Sequence, residues 1–188
     1  MMVAPKILSD YLNDMLAVER EIHQAFSRQQ RDEQVKRFPA VAVLIGSVEE
    51  TIDRHIETVS ETLTHLGTSE SPLQRVVGTV LGIVTGIYGK VRPDGKVSSL
   101  LRDDYAALSF ALVCYQMLHT TALALGEERV TELAIGNLED YASAIMRISE
   151  IIPPLVVQEL ASEGKIPADA GVAEEAVRHV RDAWVHAS

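Results

Sequence analysis

The chain has 188 residues, 47% hydrophobic and 23% charged, a composition typical of one folded domain with a sizeable core. Its formal net charge of −10 argues against nucleic acid and anionic lipid as partners, because both require a basic patch. A single cysteine, Cys114, excludes an intrachain disulfide and indicates a reducing, cytoplasmic location. We expect no signal peptide and no membrane span, since no run of about 20 uncharged apolar residues is evident.

Two amphipathic helices are predicted in the first third of the chain, over residues 6–30 and 40–66. In each, apolar residues recur at three- and four-residue steps and therefore share one face. Glu19 falls near the middle of the first apolar stripe, and His55 lies within the second. The charged segment 28–38 is predicted as the connection between the two helices.

A crossover helix is predicted over residues 73–91. It carries Gly78, Gly82 and Gly86 at four-residue spacing, which predicts a flat face packed against another helix, within the subunit or across a dimer. A helix of about 18 residues spans roughly 27 Å, enough to return the chain along the molecule. The third long helix would then run parallel to the second.

Two further long helices are predicted over residues 101–125 and 128–152, joined by a tight turn at Gly126 that makes them antiparallel. Pro153 and Pro154 are predicted to end the second of them, because proline lacks the amide donor.

Two further predictions concern Asp104 and the C-terminal tail. Asp104 is interpreted as an acid in the first turn, or at the N-cap, of the predicted helix 101–125. The tail 155–188 is expected to hold one helix, over about 168–186.

These elements predict an all-α, single-domain protein spanning residues 1–188. Residues 6–152 would form an antiparallel four-helix bundle with one long helical crossover at 73–91, which is the ferritin-like arrangement. Residues 155–188 would form a C-terminal extension with an extra helix.

Short motifs along the chain carry a family resemblance. They are Leu12-Asn13-Asp14 followed by Glu19, Glu49-Glu50-Thr51, Leu66-Gly67, Tyr115 with Leu125-Gly126, and Leu138-Glu139-Asp140. In this order and spacing, over residues 6–152, the chain resembles ferritin-like bacterial proteins of the YciE/YciF type, a stress-associated family. The resemblance implies a four-helix bundle that is often dimeric and is related to di-iron carboxylate proteins.

The chain departs from that family's metal-ligand pattern. A di-iron site of this class takes inward glutamates on two helices and Glu-x-x-His on the other two. The sequence contains no Glu-x-x-His, and its nearest approach is Gln116-x-x-His119. Ala111 stands where the family has a glutamate, and Glu139, which matches the family motif, is predicted to face solvent. We therefore expect no standard di-iron centre.

Ionisable residues on the apolar stripes form the candidate site. From the helical rise, Glu19, His55 and His119 should lie at similar depth, in the zone that also holds Tyr115, Asn137 and Tyr141. Two histidines and one carboxylate are ligand types of a mononuclear iron site, and His23, one turn from Glu19, could join or replace one of them. The candidate ligands for iron or manganese are thus Glu19, His23, His55 and His119.

Three interpretations of this cluster stay open. It could fix the register of the helices by hydrogen bonding alone, bind a metal, or line a small-molecule cavity. The missing Glu-x-x-His favours a structural or interaction role, as a homodimer, over an enzymatic one. The inward polar cluster keeps open the alternative of a metal-dependent oxidoreductase or metal-binding stress protein.

Overall fold

The structure is a computed structural model that describes residues 3–68, 80–88, 95–165 and 169–186. Within these ranges the chain forms seven helices and no strand, which confirms the all-α prediction. The helices are α1 (Val3–Gln30), α2 (Glu33–Lys36), α3 (Pro39–His65), α4 (Val80–Tyr88), α5 (Val97–Leu125), α6 (Glu128–Ser162) and α7 (Val172–His186).

Four long helices, α1, α3, α5 and α6, surround one apolar core, which we call the four-helix core. Neighbours in the ring are α1 with α3, α3 with α6, α6 with α5, and α5 with α1. Cross-contacts fix their directions. Ser9 near the start of α1 meets Thr68 just after α3, at 3.2 Å between hydroxyls, whereas Ser27 near the end of α1 bonds Glu49 early in α3. These two helices are therefore antiparallel.

The same reasoning sets the other helix directions. Gln29, at the end of α1, bonds Asp104, in the first half of α5, at 2.7 Å, so α1 and α5 are antiparallel. Both α3 and α5 oppose α1, and hence they run parallel to each other. A connection between two parallel helices has to traverse their length, and α4 lies in that connection, packed on α1 and α5.

Two glycines of the predicted crossover helix, Gly82 and Gly86, lie among the described residues. Gly82 and Gly86 are exposed, and a Cβ atom added at either would meet nothing within 4 Å among the described residues. The described part of the predicted helix 73–91 is Val80–Tyr88, and its other residues, including Gly78, lie outside the described residues. Packing of this face against another helix, within the subunit or across a dimer, therefore stays a prediction.

The charged connection 28–38 contains a helical turn that the sequence prediction missed. Asp32 caps α2 by accepting a hydrogen bond from the Gln34 amide at 2.8 Å, and Val35 is fully buried. The buried side chain of Val35 thus packs this charged connection against α1 and α3.

Pro153 and Pro154 do not end α6, which continues to Ser162. The prolines remove two amide donors, but the helix beyond them buries Leu155 and Glu159. Glu159 accepts hydrogen bonds from the backbone amide of Ser98 at 3.0 Å and from its hydroxyl at 2.5 Å. Glu159 therefore satisfies a free amide in the first turn of α5, which no side chain at its N-cap does. Tertiary contacts outweigh the local cost of the prolines.

Among the described residues, α5 alone is long and apolar enough to cross a membrane, with a mean hydropathy of 1.4 over an 18-residue window. Core helices of soluble proteins pass the same test, so this is weak evidence. The expected absence of a membrane span stays a prediction.

The extension of α6 beyond its prolines is testable through burial. Leu155→Ala should lower the free energy of unfolding by about 2–5 kcal/mol, because it leaves a cavity at a side chain only 2% exposed. Val156→Ala, at a neighbouring and more exposed position, is the control and should cost less than half as much. Equal, small effects in urea denaturation would show that this part of α6 does not belong to the core.

Candidate functional site

The centre of the four-helix core holds a fully buried carboxylate, that of Glu19 on α1. The helical spacing that buries Met15, Ile22 and Phe26 also turns Glu19 inward. A charge in such surroundings is costly unless hydrogen-bond donors surround it. The prediction that Glu19 lies inside the helices is confirmed.

Each of the other long helices supplies one polar side chain to Glu19. The hydroxyl of Tyr115, on α5, donates to Oε1 at 2.6 Å, and the hydroxyl of Tyr141, on α6, donates to Oε2. His55 of α3 places Nδ1 3.2 Å from Oε1. A single carboxylate thus joins all four long helices.

A second layer of contacts holds these donors in position. Asn137 donates from Nδ2 to the Tyr115 hydroxyl at 2.9 Å. His55 Nε2 lies 3.1 Å from Oδ2 of Asp140, a half-exposed residue that Arg54 approaches at 3.7 Å. The His55 ring meets the Tyr141 ring edge-on, with centroids 5.0 Å apart. We call these six residues, Glu19, His55, Tyr115, Asn137, Asp140 and Tyr141, the central network.

His55 lies between two carboxylates, one buried and one in contact with solvent. A doubly protonated imidazole donates to both Glu19 and Asp140, whereas a neutral ring leaves one carboxylate facing a nitrogen lone pair. The chain Glu19–His55–Asp140 connects the interior to the surface.

The two tyrosines have strongly perturbed acidity. The pKa of Tyr115 and that of Tyr141 both lie well above the ordinary value of 10.0. Burial is the main cause, and the negative charge of Glu19 adds to it because a phenolate beside a carboxylate is repelled. Both hydroxyls accordingly keep their protons and act as donors at neutral pH.

The remaining predicted ligands lie outside the central network. His23 is partly exposed between α1 and α3, with Nε2 2.9 Å from Asp53 and 3.8 Å from Glu49. His119 is partly exposed on α5 and joins no hydrogen bond or ion pair with a described residue. The buried position one residue earlier belongs to Leu118. The predicted convergence of Glu19, His55 and His119 is therefore wrong for His119.

The donor arrangement does not fit a standard metal centre. Both oxygens of Glu19 already accept hydrogen bonds, and the two nitrogens of His55 face opposite carboxylates rather than one point. Across the described ranges, no group of three or more His, Cys, Asp or Glu side chains is arranged to hold a metal ion. A metal at Glu19 would have to displace a tyrosine hydroxyl.

Sequence reasoning missed Asp140 as a partner of His55 and misread Asp104. Asp140 lies beside the apolar stripe of α6 rather than on it. The one indication in the sequence was that a buried histidine needs a hydrogen-bond partner for each of its two ring nitrogens. Asp104 is neither a cap nor a first-turn acid, because α5 begins at Val97 and buries Asp104 completely beside Gln29. The earlier start of the helix accounts for the error.

Cys114 is partly buried, and its thiol is less acidic than a free cysteine. Burial, with a smaller contribution from the charge of Asp14, raises the pKa of the Cys114 thiol to about 11. Little thiolate is present at neutral pH, so this cysteine is not an activated nucleophile.

The fold and the site together define an all-helical protein with a buried polar network at its centre. The chain belongs to the family described as "Domain of unknown function (DUF892)", whose model matches residues 4–161. That range begins in α1, ends one residue before the end of α6 and leaves out α7. A comparison with curated proteins finds no match.

Removal of the Tyr141 hydroxyl tests its bond to Glu19. Tyr141→Phe should lower the free energy of unfolding by about 1.5–3 kcal/mol, the usual loss for a hydrogen bond to a charged group. Tyr11→Phe is the control, because Tyr11 packs at the edge of the core and donates to no described residue. Equal urea midpoints for both variants would contradict the bond.

Alkaline pH should destabilise the protein through the same tyrosines. Below about pH 10 the hydroxyls of both tyrosines stay protonated in the folded and in the unfolded protein, so their titration does not change the free energy of unfolding. Above that pH the unfolded chain releases them and the folded protein does not, so the free energy of unfolding should fall by about 1.4 kcal/mol per pH unit for each hydroxyl. Urea denaturation between about pH 9 and about pH 11 measures the slope. The same slope in a double variant, Tyr115→Phe with Tyr141→Phe, would exclude these two groups as its cause.

Proposed function

We propose that this chain is a ferritin-like four-helix-bundle protein of the YciE/YciF type with a structural or interaction role. The observation that carries the proposal is the saturation of Glu19 by Tyr115, Tyr141 and His55. In a di-iron bundle, carboxylates and histidines from four helices converge on metal. Here hydrogen bonds to one carboxylate connect the helices, so no metal is required to hold them together.

The helix directions support the ferritin-like assignment. Two antiparallel pairs, α1 with α3 and α5 with α6, are joined so that α3 and α5 run parallel, which requires one long crossover. A single long crossover between helix hairpins is the arrangement of ferritin-like bundles.

An interaction role as a cytoplasmic homodimer fits the surface of the protein. Val113 and Met117, one turn apart on α5, are each about half exposed, and Ile83 of α4 is also exposed. Large apolar side chains in such positions favour association. The net charge of −10 and the single cysteine agree with a soluble, reducing environment. Equilibrium sedimentation that gives a monomer at every concentration would exclude the dimer.

A metal-binding or oxidoreductase role is the second candidate, and one observation favours it. At the α1–α3 surface, Nε2 of His23 lies 2.9 Å from Asp53 and 3.8 Å from Glu49, although these three side chains are not arranged as a metal-binding group. These are ligand types that iron and manganese accept. Glu49 is also part of the motif on which the family resemblance rests. A metal site would then use His23 near the surface, or Glu19 and His55 inside, as an atypical Glu/His centre.

Thermal melts with and without Mn(II) or Fe(II) distinguish the two roles. A metal that binds only the folded protein at 100 times its Kd adds about 2.7 kcal/mol. The structural role predicts no metal-dependent rise in melting temperature for the parent. A rise that Glu19→Gln abolishes would establish an interior metal site. A rise abolished only by His23→Gln would establish a surface site. Either would overturn the proposed role.

A further inference from the structure

The solvent-facing side of α5 lacks charged side chains over most of its length. Residues 106–125 contain no Asp, Glu, Lys or Arg, although 23% of the whole chain is charged. The exposed positions in this stretch recur at three- and four-residue steps and therefore share one side of the helix. We call the exposed residues from Ala106 to Ala124 the α5 outer face. Val113 and Met117, at its centre, are 50% and 51% exposed.

Such a surface is unusual in this protein, because the net charge is −10. Two copies of the chain repel each other wherever their carboxylates approach. On the α5 outer face two copies can meet without bringing carboxylates together. The neighbouring helix α4 packs on α1 and α5, and its residues, Val80–Tyr88, include no charged side chain either. The uncharged surface therefore extends from α5 onto α4, where Ile83 is exposed.

The sequence of α5 is complementary to a second copy of itself in the antiparallel direction. When two α5 helices cross at the level of Tyr115, residues equally far from Tyr115 on either side face each other across the two-fold axis. Val113 then faces the partner's Met117, and Met117 faces the partner's Val113. Ala106 faces the partner's Ala124. Apolar side chains thus meet apolar side chains along the whole strip.

The exposed charges at the two ends of the strip favour the same direction. Arg102 lies one turn before the strip, pairs with Asp103 at 2.8 Å and keeps 67% of its side chain exposed. Glu128 is exposed just beyond the other end of α5. Both residues are equally far from Tyr115, so the antiparallel arrangement places Arg102 opposite the partner's Glu128. A parallel arrangement would instead place like charges together at both ends.

We propose that the α5 outer face is the surface through which two copies of this chain form a symmetric, antiparallel dimer. This inference rests on the homodimer proposed above and identifies its contact surface. From Arg102 to Glu128 the strip is about 39 Å long and about 10 Å wide, which gives about 400 Å² per subunit. A standard interface takes roughly 800 Å² per partner, so the adjoining surface of α4 has to contribute and the dimer is a reversible one.

Sedimentation equilibrium of the intact chain tests this surface. Met117→Glu places a carboxylate at the centre of the strip, close to its own copy in the partner, and should raise the dissociation constant of the dimer about tenfold or more. Val43→Glu is the matched control, because it adds the same charge at a side chain that is 68% exposed on α3. It should leave the dissociation constant unchanged. Both positions are exposed, so the helix content of the variants should equal that of the parent.

Cross-linking tests the direction of the two helices. In a Cys114→Ser background, a short bismaleimide should join Val113→Cys to its own copy, because the two thiols lie about 6 Å apart along the helix axis. Ala106→Cys lies on the same face and is the control. It should not be joined, since the antiparallel arrangement separates its two copies by about 27 Å.

The outcomes separate this interface from the homodimer itself. A parent that is monomeric at every concentration overturns both, and flotation of that monomer with phosphatidylcholine vesicles would show that the face meets lipid instead. A dimeric parent overturns the interface alone if Met117→Glu stays dimeric or if Val43→Glu dissociates equally. Equal cross-linking of Val113→Cys and Ala106→Cys overturns the antiparallel direction.

Discussion

The structure depends on the burial of one carboxylate among apolar side chains. An ionised Glu19 without partners would cost more than a domain of this size can tolerate, so its donors have to be in place for the helices to pack. The three partners of Glu19 come from three different helices, and each must therefore lie at one height relative to α1. Apolar packing alone permits helices to slide by a turn, whereas this set of hydrogen bonds penalises every other register.

The same constraint determines which polar residues connect Glu19 to the surface. Only one ring nitrogen of His55 faces Glu19, and the other lies 3.1 Å from Asp140 on α6. Tyr115 likewise brings in Asn137. Asp140 and Asn137 therefore hold His55 and Tyr115 in position against Glu19.

Part of the fold and part of the central network could be predicted from the sequence. The apolar stripes of α1 and α3 placed Glu19 and His55 inside, because a helix has a fixed period. His119 was misplaced because a position at the edge of a stripe is turned outward once α5 packs. The prediction that Pro153 and Pro154 end α6 was wrong because it took no account of the contact between Glu159 and Ser98 at the start of α5. These two residues lie 61 positions apart in the chain. The role of Asp140 arises only when α3 and α6 meet, which no local pattern encodes.

Proton NMR of the tyrosine hydroxyls tests the central claim most directly. If Tyr115 and Tyr141 donate to a buried, ionised Glu19, two hydroxyl protons should be protected from exchange with water and shifted downfield. Nuclear Overhauser contacts should link them to the side chains of α1, and both resonances should move in Glu19→Gln. The absence of protected hydroxyl protons, or identical resonances in the parent and Glu19→Gln, would contradict the claim that this carboxylate connects the four helices.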